Sequence, residues 1–385
     1  MSQADVTGPD DRAGARPRGF GIVGSGVIAS IHAEAIASLP AARLAAVTDV
    51  APESAKSLAG AFGCAAEPDL GTLLARDDVD VVSVCVPSGL HADVGVRAAE
   101  AGKHLVVEKP IDVSLAAADR LIGAARAAGV AMTVISQHRF DPGLVELRRL
   151  LDGGALGRLV LGEASTKWYR SQGYYDSAPW RGTWGLDGGS LMNQGIHYVD
   201  LLLWCMGPVA EVTALYATQT HQIEVEDTAL AALRFSSGAV GTIVASTAVF
   251  PGFAQRLEIT GTAGTVVVED GQIVRRALGA ELPAPGAVGL DNVSAAPAAA
   301  ASVAGLDSAS HAAQIADLLA AIDSGRQPSV TAESGRAALE VVRAVYESAR
   351  EGRTVALPAA ASDPGAAARR DPGAVPRRPD AGAPG

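Results

Sequence analysis

The octapeptide Val-Asp-Val-Val-Ser-Val-Cys-Val at 79–86 reads as a strand buried on both faces, because its polar residues, Asp80 and Ser83, do not alternate. It has company. Strand-like segments at 19–23, 43–50, 63–66, 104–107 and 130–136 alternate with helix-like ones at 27–39, 52–62, 70–75, 90–101 and 114–128. Buried strands alternating with helices imply a parallel sheet covered on both faces, a doubly wound α/β domain. After Asp141-Pro142 the alternation stops. A helix at 144–151 ends at Asp152-Gly153-Gly154, and a long strand at 158–169 leads into an aromatic loop from Trp168 to Trp184. Strands at 209–220, 228–235, 239–249, 256–261 and 265–269 then follow without helices between them. Turn residues at Ser236-Ser237-Gly238 and Thr262-Ala263-Gly264 make them an antiparallel sheet, so this half is α+β. Helices at 311–323 and 333–350 are expected to pack back on the first domain. The expected division is a parallel-sheet domain over 18–140 and a second domain over 141–357. Residues 1–17 and 358–385, rich in Gly, Pro and charge, read as a disordered leader and tail, and 280–304 as a long low-complexity loop.

Composition excludes several classes of function. The formal net charge is -11 and no dense Lys/Arg run precedes the far C-terminus, which argues against nucleic acid as a partner. No apolar run approaches the ~20 residues of a membrane helix, and the N-terminus has no apolar segment of a signal peptide. Cys64, Cys85 and Cys205 sit in or beside apolar runs, with no Cys-x-x-Cys and no histidine at ligand spacing. They read as buried thiols of a reducing compartment, so the protein is expected to be cytoplasmic and to hold no metal.

Gly24-Ser25-Gly26-Val27-Ile28-Ala29 directly follows the first strand and opens the first helix. The first glycine permits the tight turn, the second lets a pyrophosphate approach the backbone, and Ala29 permits close helix–strand packing. This is the fingerprint of a Rossmann dinucleotide site, with the phosphates on the amides of 24–28. Asp49 ends the second strand, about where an acid for the ribose 2′-hydroxyl is expected, ~20 residues on. A carboxylate there repels a 2′-phosphate, so NAD is expected rather than NADP; a turn residue before Pro52 is the plainer alternative. Val86-Pro87-Ser88 closes the fourth strand at the switch point of such a sheet. Ser88 and His91 are candidates for the nicotinamide half, with a helix cap as the alternative for Ser88. Glu108-Lys109-Pro110 ends the fifth strand at the same crevice. A partly desolvated lysine there has a lowered pKa and can exchange protons near neutrality; an ordinary surface lysine is the alternative.

A glycine-rich stretch from Asp187 to Asp200 reads as a loop entering a helix. Asn193, His197 and Asp200 fall on one face, and Met192, Ile196, Val199 and Leu203 form an apolar stripe beside it. That places an amide, an imidazole and a carboxylate at the edge of a cleft, or else describes a core helix with a satisfied histidine. The preceding loop holds three of the four tryptophans and three of the six tyrosines. Its Tyr174 and Trp184 can pack on the apolar face of a sugar ring, and Arg170 can reach hydroxyls, a carboxylate or a phosphate. A structural cluster or an oligomer contact explains the same aromatics.

The order Gly24-x-Gly26-x-x-Ala29, Glu108-Lys109-Pro110, then Gly188-Gly189-x-Leu191-x-Asn193-x-Gly195-x-His197-x-x-Asp200 resembles the Gfo/Idh/MocA family, the glucose–fructose oxidoreductase and inositol dehydrogenase relatives. The resemblance runs from about residue 19 to 358. It implies a Rossmann domain, a second α/β domain on a large open sheet often used for homodimers or homotetramers, and NAD(P)-linked chemistry on a sugar or cyclitol carbon. It makes Lys109 the active-site lysine and His197 the base, and places Glu108, Trp180 and Arg181 with the cofactor. Many inositol dehydrogenase relatives have aspartate where Asn193 stands. An amide cannot be a general base but can orient a hydroxyl, so the proton falls to His197 or Lys109. The expected protein is an NAD-dependent dehydrogenase of a sugar, sugar derivative or cyclitol. Two rivals are a glycoside-cleaving enzyme that oxidises its substrate transiently with tightly bound NAD, and a non-catalytic dinucleotide sensor.

Overall fold

Strands with no polar face can satisfy their backbone groups only by lying side by side under a helical cover. In the computed structural model, which describes residues 16–279 and 308–358, the first half does this with six parallel strands. They are β1 (Arg18–Val23), β2 (Ala42–Thr48), β3 (Ala65–Ala66), β4 (Val81–Val84), β5 (His104–Val107) and β6 (Met132–Val134), in the order β3-β2-β1-β4-β5-β6. The covering helices are α1 (Val27–Ala37), α2 (Pro52–Phe62), α3 (Leu70–Leu74), α4 (His91–Glu100) and α5 (Leu115–Ala128). Local chemistry sets their limits. α2 opens on Pro52 and stops at Gly63, which is left-handed at φ 67. Ser114 caps α5 by accepting from the Ala117 amide. The chain reverses its winding between β1 and β4, so a ligand crevice opens at the carboxyl ends of those strands.

The second half runs α6 (Pro142–Asp152), β7 (Leu159–Lys167), α7 (Gln172–Asp176), a π turn at Ser190–Gly195, and α8 (Ile196–Met206). Then come β8 (Val209–Ala217), β9 (Thr228–Phe235), β10 (Val240–Ser246), β11 (Arg256–Gly261), β12 (Gly264–Glu269) and β13 (Gln272–Leu278). The described chain ends with α9 (Ser308–Ser324), α10 (Ala332–Glu351) and β14 (Val355–Ala356). These strands make an eight-stranded sheet in the order β13-β12-β11-β7-β10-β9-β8-β14, antiparallel except where β10 lies parallel to β7. The fold is the expected one, a Rossmann sheet joined to a large, mostly antiparallel sheet. β13 and β14 were not legible in the sequence. β13 places Arg275 and Arg276 side by side and shows no alternation, and β14 is two residues long. The expected loop at 280–304, the tail beyond 358 and the leader up to 15 lie outside the described residues. No helix among the described residues is long and apolar enough to cross a membrane.

The last helices join the two sheets. Ile315, Leu318 and Leu319 of α9 share a buried cluster with Phe20 and Ile22 of β1. Leu339, Val342 and Val345 of α10 belong to a second cluster that holds Val107 of the first sheet and Leu233 of the second. A buried charge pair makes another junction. Arg139, just past β6, donates through Nε to Asp200 of α8 at 2.8 Å, and Ser136 Oγ bonds the same carboxylate. The two side chains are only 9% and 7% exposed. Removing one partner strands the other charge, so Asp200→Ala should cost about 3–5 kcal/mol. The check is the urea unfolding midpoint, expected to fall with little change in slope. Arg139→Met combined with Asp200→Leu should lose markedly less.

Candidate active site

The glycine loop after β1 is shaped by close contacts. Gly24 sits at φ +101, and a Cβ there would lie 2.4 Å from the Cys85 carbonyl oxygen, so the position admits only glycine. Gly26 is the N-cap of α1 and faces open space: a Cβ there would meet nothing within 4 Å. No side chain caps α1, so its first amides have no side-chain acceptor. Uncapped helix amides behind a bare glycine suit a phosphate group. Val27, 72% exposed, and the partly buried Ile28 lead into the helix. Asp49 is held directly beside this loop. Its Oδ2 accepts from the Ser25 amide at 2.7 Å and the Ser25 hydroxyl at 2.8 Å, and its Oδ1 from the Ala51 amide at 2.7 Å. It serves the turn and the loop together. A carboxylate has about four acceptor positions, so three donors leave capacity for a ribose hydroxyl. These residues fit a dinucleotide.

At the end of β4, Val86 and Pro87 are half-buried and Ser88 is buried. Ser88 caps neither the short 3-10 turn it begins nor α4, which removes the helix-cap alternative. The neighbouring Gly89 touches the second half of the chain, its amide donating to Leu186 O at 3.2 Å. The structure turns two of the expected cofactor contacts inward. The His91 ring lies between Pro110 O at 2.7 Å and Val86 O at 2.9 Å and is almost fully buried, so it braces the ends of β4 and β5 against each other. Glu108 is 5% exposed. It bonds His32 Nε2 at 2.9 Å and the Lys109 amide at 3.0 Å, with His311 Nε2 3.8 Å away. Burial would raise the Glu108 pKa, but the two imidazoles more than offset it and hold the group well below the usual range. The pleat continued past β5 turns Glu108 into the core, and the His91 ring, at the start of α4, is turned inward by its two carbonyl partners. Among the described residues, His32, Glu108 and His311 are the set whose ligating atoms lie close enough for a metal, within 4.8 Å. His32 is already bonded at both ring nitrogens, to Ser83 at 2.6 Å and to Glu108.

Lys109 points the other way. The Lys109–Pro110 peptide is cis. Lys109 Nζ donates to the Asn193 carbonyl at 2.8 Å and approaches Asn193 Oδ1 at 3.4 Å. Burial lowers its pKa, opposed by Glu108 and Asp187 and reinforced by Arg170 and Arg181. Lys109 and His197 line one small cavity with Ile111, Ser136 and Asp200. The His197 ring makes no hydrogen bond to protein and stands edge-on to His138, with centroids 5.2 Å apart. Burial, then the charges of Lys109 and His138, push its pKa well below the usual range, so the imidazole is neutral at pH 7. The helical face read from the sequence is therefore divided. Asn193 and His197 meet Lys109, whereas the Asp200 carboxylate is consumed by Arg139 and Ser136.

The wider turn that opens α8 has a cause the sequence did not reveal. Glu226, from the loop before β9, accepts from the Leu191 amide at 2.8 Å and from the Tyr346 hydroxyl at 3.0 Å. A Cβ at Gly189 would lie 1.6 Å from its Oε2. Burial pushes Glu226 up to about 7. Asp187, also missed, accepts from the Gly182 amide at 2.8 Å and holds the Asn193 side-chain amide. Burial raises its pKa. Neither acid has a periodic signal; a chain crossing identifies Glu226, and the turn of its own loop brings Asp187 back to Asn193. In the aromatic loop, Arg170, Tyr174 and Arg181 gather in one stack with Trp168 and Trp180. Trp184 is not brought there; it packs on Tyr346 and Tyr216, with centroids 5.1 and 6.1 Å away.

Both halves of the chain match known families. Residues 18–136 match the model of the oxidoreductase family with an NAD-binding Rossmann fold, and residues 144–267 match the GFO/IDH/MocA C-terminal domain. The chain is 30% identical to inositol 2-dehydrogenase of Rhizobium meliloti over 257 residues, covering 65% of this chain and 75% of that one. It is 29% identical to myo-inositol 2-dehydrogenase of Thermotoga maritima over 260 residues, with the same coverage of 65% and 75%. Among solved structures it resembles the WlbA dehydrogenase of Bordetella pertussis, in complex with NADH and UDP-GlcNAcA, with TM-score 0.79 and 32% identity. That match spans 89% of this chain and 99% of the other. A Rossmann half whose glycine loop fits a dinucleotide, joined to this second sheet and set of motifs, belongs to one lineage: the chain is a member of the Gfo/Idh/MocA family of NAD-linked oxidoreductases.

Proposed function

We propose that this oxidoreductase moves a hydride between NAD and a hydroxyl-bearing carbon of a sugar, sugar derivative or cyclitol. The observation that carries the reading is the pairing of a neutral, hydrogen-bond-free His197 with the half-buried Lys109 in one cavity beside the crevice. In the oxidative direction His197 takes the hydroxyl proton. Lys109 donates a hydrogen bond to the oxygen as it becomes a carbonyl, and Asn193 holds the substrate by its amide. Bound at Gly24–Ile28 with Asp49 on its ribose, the dinucleotide supplies the hydride acceptor in oxidation and the donor in reduction. Ser88, at the end of β4, would stand beside its nicotinamide half. The 18–140 unit is assigned to the cofactor and 141–357 to the substrate and to assembly. Dimers or tetramers form through the open face of the large sheet. Leu215, Leu230 and Val240 there are 72%, 48% and 46% exposed, and Leu215 pairs directly with Leu230 across β8 and β9. Three unpaired cysteines suit a cytoplasmic protein.

The direct test is a screen of polyols and glycosides with NAD, read at the NADH absorbance. Steady NADH accumulation is expected; cleavage of a glycoside without it would favour transient oxidation instead. His197→Ala should lower kcat by about 10²–10⁴ and leave NAD affinity intact. The pH profile of kcat/KM should be bell-shaped. Its acid limb, where His197 gains a proton, should fall below pH 6.5 because that pKa is lowered, and should vanish in His197→Ala. Its alkaline limb, where Lys109 loses one, should fall below pH 10.5 for the same reason, and should vanish in Lys109→Ala. Asp49→Ser should narrow a measured preference for NAD over NADP, since it removes the repelling carboxylate.

A further inference from the structure

The Asn193 side chain stands between an anion and a cation. Its Nδ2 donates to Asp187 Oδ1, and its Oδ1 lies 3.4 Å from Lys109 Nζ, which also donates to the Asn193 main-chain carbonyl at 2.8 Å. The other oxygen of Asp187 accepts from the Gly182 amide at 2.8 Å. Asp187 is 1% exposed, whereas Asn193 and Lys109 are half-buried. A tight return of the chain sets the acid on the amide. Gly188 sits at φ +82, where a Cβ would lie 2.4 Å from Met192 Cγ, and the Asn193 amide donates back to Gly189 O at 2.9 Å.

A primary amide is neutral, donates at one end and accepts at the other. The charges on either side leave it one orientation. Turned over, its oxygen would face the Asp187 carboxylate and its NH2 the Lys109 ammonium, and both contacts would be repulsive. An aspartate at 193 would bring two carboxylates into hydrogen-bond contact, where both cannot be ionised. Asparagine at 193 is thus the counterpart that a buried acid at 187 requires. The arrangement also keeps the negative charge of Asp187 one side chain away from the lysine, which meets a neutral oxygen instead.

We infer that Asp187 is a positioning residue: it turns the carbonyl of the Asn193 side chain toward Lys109, and positions 187 and 193 form an exchangeable acid–amide pair that sets how close a negative charge comes to the lysine. The kinetic part of the test rests on the reading of Lys109 as the group facing the reacting oxygen. Besides Asp187, the charges acting on Lys109 are Glu108 at its own strand end, Arg170 and Arg181 of the aromatic loop, and His197 of α8. Those acting on Asp187 are Lys109 and Arg181, with Tyr174 and Tyr175 nearby. All of these stay in place when 187 and 193 exchange. A carboxylate at 187 favours the ammonium form of Lys109, so removing it lowers the pH at which the lysine loses its proton. Moving it to 193 brings it closer and raises that pH.

The experiment uses NMR of the full chain with isotope-labelled lysine Cε and asparagine Nδ2. The chain has four lysines and two asparagines, so Lys109→Arg and Asn193→Asp assign the two signals by their loss. In the wild-type protein one Asn193 Nδ2 proton should lie far downfield of the other and exchange slowly, as a bond to a carboxylate requires. Two equivalent, fast-exchanging protons overturn the inference, and that result needs no variant at 187. Asp187→Asn should move the Lys109 titration down by about one pH unit, and Asp187→Asn combined with Asn193→Asp should move it above the wild-type value. A titration that stays still in both overturns the inference. With the polyol that the NAD screen selects, each single change should lower kcat about ten-fold, and the double change should recover most of the loss with the KM for NAD unchanged. A double variant no faster than the slower single one overturns the exchangeable pair. Lys109 titrations that move as stated beside an unmoved alkaline limb of kcat/KM leave this inference standing and overturn the catalytic reading of Lys109. Unmoved titrations beside a limb that vanishes in Lys109→Ala do the reverse.

Discussion

β4 and β5 end side by side, and the site depends on where they stop. Parallel pairing brings Val84 level with Val107, so Val86 and Lys109 emerge at the same crevice. The His91 ring holds the two ends together by reaching Val86 O and Pro110 O. The pleat then sends successive side chains to opposite sides. Glu108 goes inward to His32 and His311, and Lys109 goes outward to Asn193. One residue of register separates a buried structural carboxylate from a lysine in the cleft.

Charge sets the character of the rest. Each buried acid near the cleft is answered by specific donors: Glu108 by imidazoles, Asp200 by Arg139 and Ser136, Asp187 by an amide and Asn193, Glu226 by Leu191 and Tyr346. Burial moves the pKa values of Lys109 and His197 down, with Glu108 and Asp187 opposing the shift at Lys109. A lysine and a histidine with lowered pKa values in one cavity are suited to exchanging protons at neutral pH.

Much of this was legible in the residues themselves. Period and punctuation set the order of strands and helices, and the glycine turn with Asp49 ~20 residues on marked the dinucleotide half. Lys109, Asn193 and His197 were readable because each lies at the end of a strongly patterned element. The inward turn of Glu108 and His91 has a specific cause. A motif locates a residue along the chain, but the side of the pleat it takes depends on the neighbouring strands and on histidines as distant as His32 and His311.

Local chemistry, then, determined the elements and the nature of the cofactor: hydrophobic period, proline and glycine limits, and a carboxylate at a strand end act within a few residues and need no partner. Tertiary structure alone decided which charges are answered. Glu226 comes to the start of α8 by a chain crossing with no local signal, Asp187 reaches Asn193 from six residues before it in the same loop, and Asp200 is drawn from the cleft by Arg139, 61 residues away. Electrostatic pairing acts through space and is strong only where water is excluded, and both conditions exist only once the chain has folded.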